Sequence, residues 1–287
     1  MIDHQKWQAY SQLMRLDKPI GTLLLLWPTL WSLWFAAEGV PSIWLIVIFA
    51  LGVFIMRSAG CVINDFADRK VDGAVKRTAT RPLARGAVTS KEALGLFAIL
   101  VAVAFILVLF LNWQTIVLSF GALALASVYP FMKRYTNLPQ LVLGAAFSWA
   151  IPMAFMAVNQ NVPVLAWVLF VANLIWTVAY DTMYAMVDRD DDLKIGVKST
   201  AILFGKWDLH IIALLNITFI AMMAAVGATF DLNLAFWCGL LAASVLLIRQ
   251  QYAIRYRDRD RCFWAFLNNN YVGLAIFVGV VLGFLPL

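Results

Sequence analysis

Nine apolar runs of roughly 20 residues constrain the fold of this chain more than any other feature of its sequence. A helix needs about 20 apolar residues to cross ~30 Å of hydrocarbon, and 63% of the 287 residues are hydrophobic whereas 13% are charged. The runs lack the strict apolar–polar alternation of membrane β-strands. We therefore predict an all-α membrane protein in which residues 1–287 form one domain. The predicted spans are about 20–37, 41–64, 92–111, 113–131, 138–158, 162–186, 207–229, 231–250 and 264–285.

The basic residues predict how these spans are oriented. Of the 22 Lys and Arg residues, all except Arg57 lie near the N-terminus or beside the ends of even-numbered spans. Cytoplasmic linkers carry the excess of Lys and Arg, so we expect a cytoplasmic N-terminus, cytoplasmic cap loops over about 66–91 and 187–206, and a periplasmic C-terminus. The N-terminus has no cleavable signal pattern, so the first span is expected to be retained. This distribution accounts for the net charge of +6 without a nucleic-acid partner.

Two oxygen-rich stretches follow spans two and six and share one spacing. Each contains three polar residues placed four positions apart, and these are Asn64, Asp68 and Asp72, then Tyr184, Asp188 and Asp192. On a helix, each trio would project from one face. Aligning the trios superposes span two on span six, which predicts two four-helix pseudo-repeats and a ninth helix around a central cavity. Sites between such repeats are frequent in membrane proteins.

The chemistry of these side chains favours magnesium. Carboxylate and amide oxygens are hard ligands, and Mg²⁺ is typically shared between carboxylates and substrate phosphates. No His lies near either stretch, and the three cysteines show no zinc-binding spacing such as Cys-x-x-Cys. The predicted metal ligands are Asn64, Asp68, Asp72, Asp188 and Asp192.

Other charged residues allow two interpretations each. Asp65, Asp190 and Asp191 could belong to the cation site, or they could equally cap helices and pair with loop cations. Arg57 lies inside span two, where an arginine facing lipid costs at least a few kcal/mol, so it should face the bundle interior. There it either pairs with a buried acid such as Asp181 or holds an anionic group of a substrate. An acid as deep as Asp181 is a functional candidate by default.

Cations in the long loops suit a diphosphate, because planar guanidinium groups bind phosphate oxygens bidentately. The candidates are Arg77, Arg81, Arg85, Lys133, Arg134, Lys194 and Lys198. Cytoplasmic orientation alone would also supply such residues, so only a minority is expected to belong to the site.

The two stretches together resemble the paired signatures of the UbiA superfamily of intramembrane prenyltransferases. The matching residues are Asn64-Asp-x-x-Asp68-x-x-x-Asp72 and Tyr180-Asp-Thr-x-Tyr184-Ala-x-x-Asp188-x-x-Asp191-Asp192. Within that superfamily, Arg15-Leu-Asp-Lys-Pro-Ile-Gly-Thr and Lys198-Ser-Thr-Ala-Ile-Leu-Phe-Gly resemble the branch that acts on 4-hydroxybenzoate. The resemblance implies nine helices around a cavity open to lipid, Mg²⁺ held by both signatures, and binding of the aromatic carboxylate by Arg57.

The resemblance also implies a reaction. A polyprenyl chain would move from polyprenyl diphosphate to the carbon of 4-hydroxybenzoate ortho to its hydroxyl, a step of ubiquinone biosynthesis at the bacterial inner membrane, and no protein partner is implied. The aspartates of the metal site would act catalytically, and Asp191 or Asp181 would assist deprotonation of the phenol. The expected substrate-binding residues are Arg57, Asp181, Tyr184, Arg77, Arg81, Lys133, Arg134 and Lys198.

Two other functions remain as alternatives. A sister prenyltransferase would use a naphthoate or homogentisate acceptor, and only Arg57 and the branch-like segments speak against it. A secondary transporter would also combine repeats with intramembrane charges. Transporters, however, usually bind substrate near the midplane on interrupted helices, whereas the acids here lie at helix ends.

Overall fold

The computed structural model describes residues 4–70, 72–74 and 78–286. These ranges contain helices and connecting turns but no strand. The helices are α1 (His4–Leu13), α2 (Ile20–Ala37), α3 (Ile43–Asp68), α4 (Ser90–Val108), α5 (Trp113–Met132), α6 (Pro139–Ser148), α7 (Ala150–Asn159), α8 (Val164–Ile195), α9 (Thr200–Phe204), α10 (Asp208–Thr229), α11 (Leu234–Ala253) and α12 (Arg259–Gly283). Short 3₁₀ turns cover Asp72–Ala74, Gly205–Trp207 and Ile254–Tyr256.

Within the described ranges, nine helical segments are long and apolar enough to cross a membrane. Six of them are single helices, while α6 with α7, α9 with α10, and α11 with its following 3₁₀ turn form the other three. The chain is therefore an integral membrane protein, and the predicted all-α fold with nine spans is confirmed. The internal pseudo-repeat stays a prediction.

Span five is divided into two helices at Trp149. α6 ends at Ser148, and α7 begins two residues later. Pro152 explains this position, because a proline ring clashes with the carbonyl four residues earlier, here that of Ser148. The indole of Trp149 lies against Gly121 of α5, and its Nε1 donates to the carbonyl of Leu118 at 2.8 Å. The break thus anchors α5, of whose residues only Thr115 and Pro130 are buried.

α8 is longer than predicted. The expected loop over 187–206 is helical as far as Ile195, because residues 187–195 contain neither Gly nor Pro. The helix ends at Gly196, whose φ of 72° is the left-handed conformation that commonly terminates helices. At 1.5 Å per residue, α8 is about 48 Å long. Its acidic end therefore extends beyond a ~30 Å hydrocarbon layer.

α3, in contrast, ends before its predicted acidic face is complete. Its last residue is Asp68, and Asp72 begins a separate 3₁₀ turn. The prediction that Asn64, Asp68 and Asp72 share one helical face was therefore wrong for Asp72. Tertiary contacts hold this residue instead: the hydroxyl of Thr78 donates to its carbonyl at 2.9 Å, and Arg81 Nη1 pairs with its carboxylate at 3.0 Å.

Aromatic side chains and asparagines join α2, α8, α10 and α12 in the core. Trp176 of α8 stacks on Phe219 of α10 with ring centroids 5.3 Å apart. The Trp176 Nε1 donates to Asn269 of α12 at 2.9 Å, and the Nε1 of Trp27 in α2 donates to Asn270 at 2.8 Å. Unpaired polar groups are costly in hydrocarbon, so these bonds fix α12 against its two neighbours. The outer faces of α4 and α5 are exposed, and their inner faces border the cavity described below.

Candidate active site

A small cavity of about 130 Å³ lies between the ends of α3, α5 and α8. It brings together polar residues from both oxygen-rich stretches and from the loops. Those among the sequence-predicted site residues are Asn64, Asp68, Asp72, Arg81, Lys133, Asp181, Tyr184, Asp188, Asp192 and Lys198. The two stretches, more than a hundred residues apart in the chain, therefore meet in space.

The carboxylates of the first stretch are buried and share cations. Arg81 Nη1 lies 3.0 Å from Asp72, 3.1 Å from Asp65 and 4.0 Å from Asp68. Lys133 forms an ion pair with Asp68 Oδ2. Asp65 is fully buried and also accepts two hydrogen bonds from Arg15, at 2.8 and 3.0 Å. Asp65 thus has the structural pairing role that the sequence left open.

The donor set fits a hard cation that brings ligands of its own. Asp68 Oδ1 is buried and accepts no hydrogen bond from any residue in the described ranges. An orphaned carboxylate oxygen of this kind is suited to a metal ion. Within the same ranges, no three His, Cys, Asp or Glu residues converge closely enough to hold a metal by themselves. Mg²⁺ usually keeps waters and binds substrate phosphates, so a few protein oxygens suffice.

Burial also affects Asp72, which lies outside the spans. Removal from solvent raises the pKa of its carboxyl above the usual value, and the nearby Arg81 guanidinium only partly opposes this effect. The ionised carboxylate is therefore undercompensated, and a further cation in the cavity would stabilise it.

The loop cations fall into two groups. Arg81, Lys133 and Lys198 line the small cavity, and the Lys198 amide donates to the Lys133 carbonyl at 3.1 Å. Arg134 instead donates to the backbone carbonyl of Ala67 and lines neither cavity described here. Two other candidates, Arg85 and Lys194, lie at the mouth of the large cavity and on the α8 surface, respectively. The remaining candidate, Arg77, lies outside the described residues.

A second, much larger cavity of about 940 Å³ adjoins the first. Its lining on α3 extends from Ile48 to Asp65, so it follows most of that helix, and it also includes the second half of α4 from Val101 onward. Most of the wall is apolar, formed by α2–α7, α8 and α12. The residues that line both cavities are Asn64, Arg81, Tyr129, Asp181 and Tyr184. They mark the junction of an acidic site with an apolar channel.

Arg57 lies in the wall of the large cavity, close to this junction. Its guanidinium carbon is 5.9 Å from the centroid of the Phe147 ring. Over the part of the chain that the structure describes, it forms neither a salt bridge nor a hydrogen bond with a side chain. Within these ranges no direct salt bridge joins Arg57 to Asp181, which was one of the two interpretations above.

Asp191 points away from both cavities. Its carboxylate lies 3.1 Å from Arg259 at the start of α12, and Asp190 pairs with the same arginine at 3.1 Å. Lys194 is 3.9 Å from Asp191. These contacts tie the end of α8 to α12. Asp191 therefore lies apart from Asp188 and Asp192, its neighbours in the second stretch, which line the small cavity.

Tyr129 was missed by sequence reasoning. It lines both cavities from the last turns of α5. One signal could have found it: Tyr129 precedes Lys133 by four residues, which places both side chains on one face of α5. Gln140 was missed as well, and it lines the small cavity while its Oε1 accepts from the Thr200 amide at 3.0 Å. Its polarity at the start of a span was the available clue.

Comparison with known proteins identifies the family that has this architecture. The model of the UbiA prenyltransferase family matches residues 25–280. The chain belongs to this family. It is 66% identical over 275 residues to a 4-hydroxybenzoate octaprenyltransferase of Pseudoalteromonas translucida, covering 96% of this chain and 94% of that relative. A protein of the same name from Serratia proteamaculans is 60% identical over 283 residues, covering 99% and 98% of the two chains.

Solved structures agree with the fold. A UbiA homologue from Aeropyrum pernix K1, in its apo form, superposes with a TM-score of 0.81 at 26% identity and covers 92% of this chain and 98% of its own. A homologue from Archaeoglobus fulgidus bound to GPP and Mg²⁺ has a TM-score of 0.69 at 19% identity, with coverage of 95% and 99%. Divalent metal binding therefore occurs within the fold family.

Proposed function

We propose that this chain transfers a polyprenyl group from polyprenyl diphosphate to 4-hydroxybenzoate, at the ring carbon ortho to the hydroxyl. Full-length relatives at 60–66% identity bear the name of this activity. The observation that carries the proposal is the junction of the two cavities, where an acidic pocket bordered by cations opens into a long apolar channel. The product would serve ubiquinone biosynthesis.

The small cavity would hold the diphosphate. We assign Asn64, Asp68, Asp72, Asp188 and Asp192 as the side chains that hold Mg²⁺, on the strength of the orphaned Asp68 oxygen and of their common cavity. Mg²⁺, when bound, neutralises the diphosphate and makes it a better leaving group.

Cationic side chains would also help to neutralise the diphosphate. Arg81, Lys133 and Lys198 border the small cavity, and their charges would stabilise the negative charge that develops as the carbon–oxygen bond breaks. Arg81 and Lys133 already neutralise carboxylates there. The polyprenyl tail would occupy the large cavity, whose apolar wall follows most of α3.

The acceptor would bind at the junction. Arg57 would hold its carboxylate, since this arginine has no acidic partner in the described ranges and guanidinium pairs bidentately with carboxylates. The ring carbon then attacks the allylic carbon, a carbon–carbon bond forms, and loss of the proton from that ring carbon restores aromaticity. We assign Asp181 as the base that assists deprotonation of the phenol, because it lines both cavities, whereas Asp191 pairs with Arg259. Tyr184 borders the same space.

We also infer the membrane placement and the organisation of the chain. The basic linkers favour a bacterial inner membrane protein with its N-terminus and acidic site in the cytoplasm and its C-terminus in the periplasm. Since α2–α8 and α12 line one adjoining pair of cavities, residues 1–287 would work as a single domain. A C-terminal reporter that is active only in the periplasm tests the orientation, and its silence would contradict it.

The decisive experiment is an assay of the purified chain with a long-chain polyprenyl diphosphate, 4-hydroxybenzoate and Mg²⁺. We expect release of diphosphate in equal amount to the prenylated ring, and loss of both on addition of EDTA. Parallel reactions with dihydroxynaphthoate and homogentisate test the sister activities. Faster turnover of either acceptor would assign the chain to that reaction instead, and family membership already argues against a transporter.

A further inference from the structure

The guanidinium of Arg57 lies directly against the backbone of α2 at Gly21. Gly21 is the second residue of that helix. A Cβ atom placed on it would lie 2.4 Å from Arg57 Nη2, 2.7 Å from Nε and 2.9 Å from Cζ, whereas ordinary contacts of a Cβ begin near 3.4 Å. The arginine can occupy this position only because residue 21 has no side chain.

The start of α2 by itself does not favour a cation at this position. The first turn of a helix is the positive end of its dipole, so a positive side chain there is destabilising. Arg57 also lies within a membrane span and has no acidic partner among the residues that the structure describes. A bound carboxylate would offset both effects, because it would interact favourably with the guanidinium and with the helix end.

We propose that Gly21 is a positioning residue for the acceptor: its missing side chain lets Arg57 rest on α2, where the guanidinium holds the carboxylate of the aromatic substrate. This inference rests on the proposed function, and it adds a residue that lines the large cavity beside Arg57 but has no functional group of its own. Gly21 acts through Arg57 alone, so it determines acceptor affinity and selection for a carboxylate.

Gly21→Ala tests this assignment without removing any chemical group. The atoms that the new methyl would meet are the end of a flexible side chain, so the guanidinium moves and the helices stay in place. A charge-assisted hydrogen bond contributes about 1.5–3 kcal/mol, which corresponds to a rise of about tenfold or more in the KM for 4-hydroxybenzoate. The KM for the polyprenyl diphosphate and the Tm should stay as in the wild type.

The matched control is Gly95→Ala in α4. Gly95 is also a helical glycine, but a Cβ there meets no atom within 4 Å, and it lines neither cavity. We expect wild-type KM values for both substrates in this variant. A rise in acceptor KM in Gly95→Ala as large as that in Gly21→Ala would contradict a specific role for Gly21.

A double variant separates positioning from a general packing effect. If Gly21 acts through Arg57, Gly21→Ala should cause no further rise in acceptor KM when Arg57→Ala is already present. Discrimination between 4-hydroxybenzoate and its uncharged amide should also fall about tenfold in Gly21→Ala. Independent effects of the two substitutions, or retained discrimination, would overturn the inference.

Equilibrium titration of 4-hydroxybenzoate distinguishes this inference from the function on which it rests. Wild-type protein that neither binds nor prenylates 4-hydroxybenzoate would refute the proposed function. Wild-type protein that binds it, together with Gly21→Ala protein that binds it equally well, would refute the role of Gly21 and leave the function intact.

Discussion

Asp68→Asn offers the sharpest test of the acidic site, because it changes one buried oxygen and keeps the shape of the side chain. In the wild type, Oδ2 pairs with Lys133 and the buried Oδ1 has no hydrogen-bond partner in the described ranges. An amide in this place loses the negative charge that a metal and Lys133 would both use. Removal of one preorganised electrostatic group lowers kcat by about 10²–10³-fold, equivalent to about 2.7–4 kcal/mol. We expect a loss of this size, with a higher Mg²⁺ concentration needed for half-maximal rate.

The neighbouring carboxylate provides the control. Asp65 is as deeply buried as Asp68, but it pairs with Arg15 and Arg81 and does not line the small cavity. Breaking a buried pair by removing one partner costs about 3 kcal/mol or more of stability. Both substitutions remove a partner of a buried pair, but Asp65 has Arg15 at 2.8 Å and Arg81 at 3.1 Å, whereas the one close cation of Asp68 in the described ranges is Lys133. Asp65→Asn should therefore lower the Tm more than Asp68→Asn does, without a change in the Mg²⁺ requirement.

The assay measures prenylated 4-hydroxybenzoate by chromatography over a series of Mg²⁺ concentrations, alongside thermal unfolding of each purified variant. Full activity of Asp68→Asn with an unchanged Mg²⁺ dependence would refute the metal assignment. A shift in the Mg²⁺ dependence of Asp65→Asn equal to that of Asp68→Asn would show that general damage, rather than ligation, explains the effect.

Three further predictions follow from the contacts described above. Asp181→Asn should lower kcat at least about a hundredfold, within the usual 10²–10⁴ range for a general base. Asp191→Asn should keep kcat within a few-fold of the wild-type value. If steady-state kinetics show the larger loss in Asp191→Asn, Asp191 is the base instead. Burial raises the pKa of the Asp72 carboxyl in the folded state. The stability that the protonated carboxyl contributes is therefore fully present at pH values below its pKa in the unfolded chain, and it is lost as the pH rises through the raised pKa of the folded state. In EDTA, the Tm of the wild type should therefore fall relative to that of Asp72→Asn over this rise in pH, and parallel Tm curves would contradict the shift. Asp208→Asn should lower the Tm, since the buried Asp208 accepts three hydrogen bonds from Arg257. The loss should be smaller than the ~3 kcal/mol of a fully buried pair, because the Arg257 side chain is 37% exposed and solvent screens it; an unchanged Tm would count against this pairing.

The acidic stretches show how far local sequence could locate the site. The spacing of Tyr184, Asp188 and Asp192 predicted one helical face, and α8 has that geometry because no Gly or Pro interrupts it before Gly196. The same spacing failed for Asp72, since the chain leaves the helix at Asp68. A four-residue period implies a common face only where the helix continues, and the end of a helix depends on contacts that the period does not record.

Asp191 illustrates a second limit. It lies beside Asp192 in the sequence, but successive residues on a helix point in directions about 100° apart. The structure therefore places Asp192 in the small cavity and Asp191 against Arg259. Sequence proximity could not distinguish the two, because the partner comes from the start of α12.

The sequence by itself determined the membrane fold, the number of spans and the type of chemistry. The fold and the number of spans follow from the apolar runs, because hydrocarbon tolerates helices whose backbone groups are satisfied internally. The type of chemistry follows from the order of residues, because carboxylates at the ends of such helices favour a hard cation. Only the tertiary structure decided which residues meet. It brought Tyr129 to the junction of the cavities and placed Arg57 on the bare backbone of Gly21. Such contacts join residues far apart in the chain, and their geometry depends on how the helices pack.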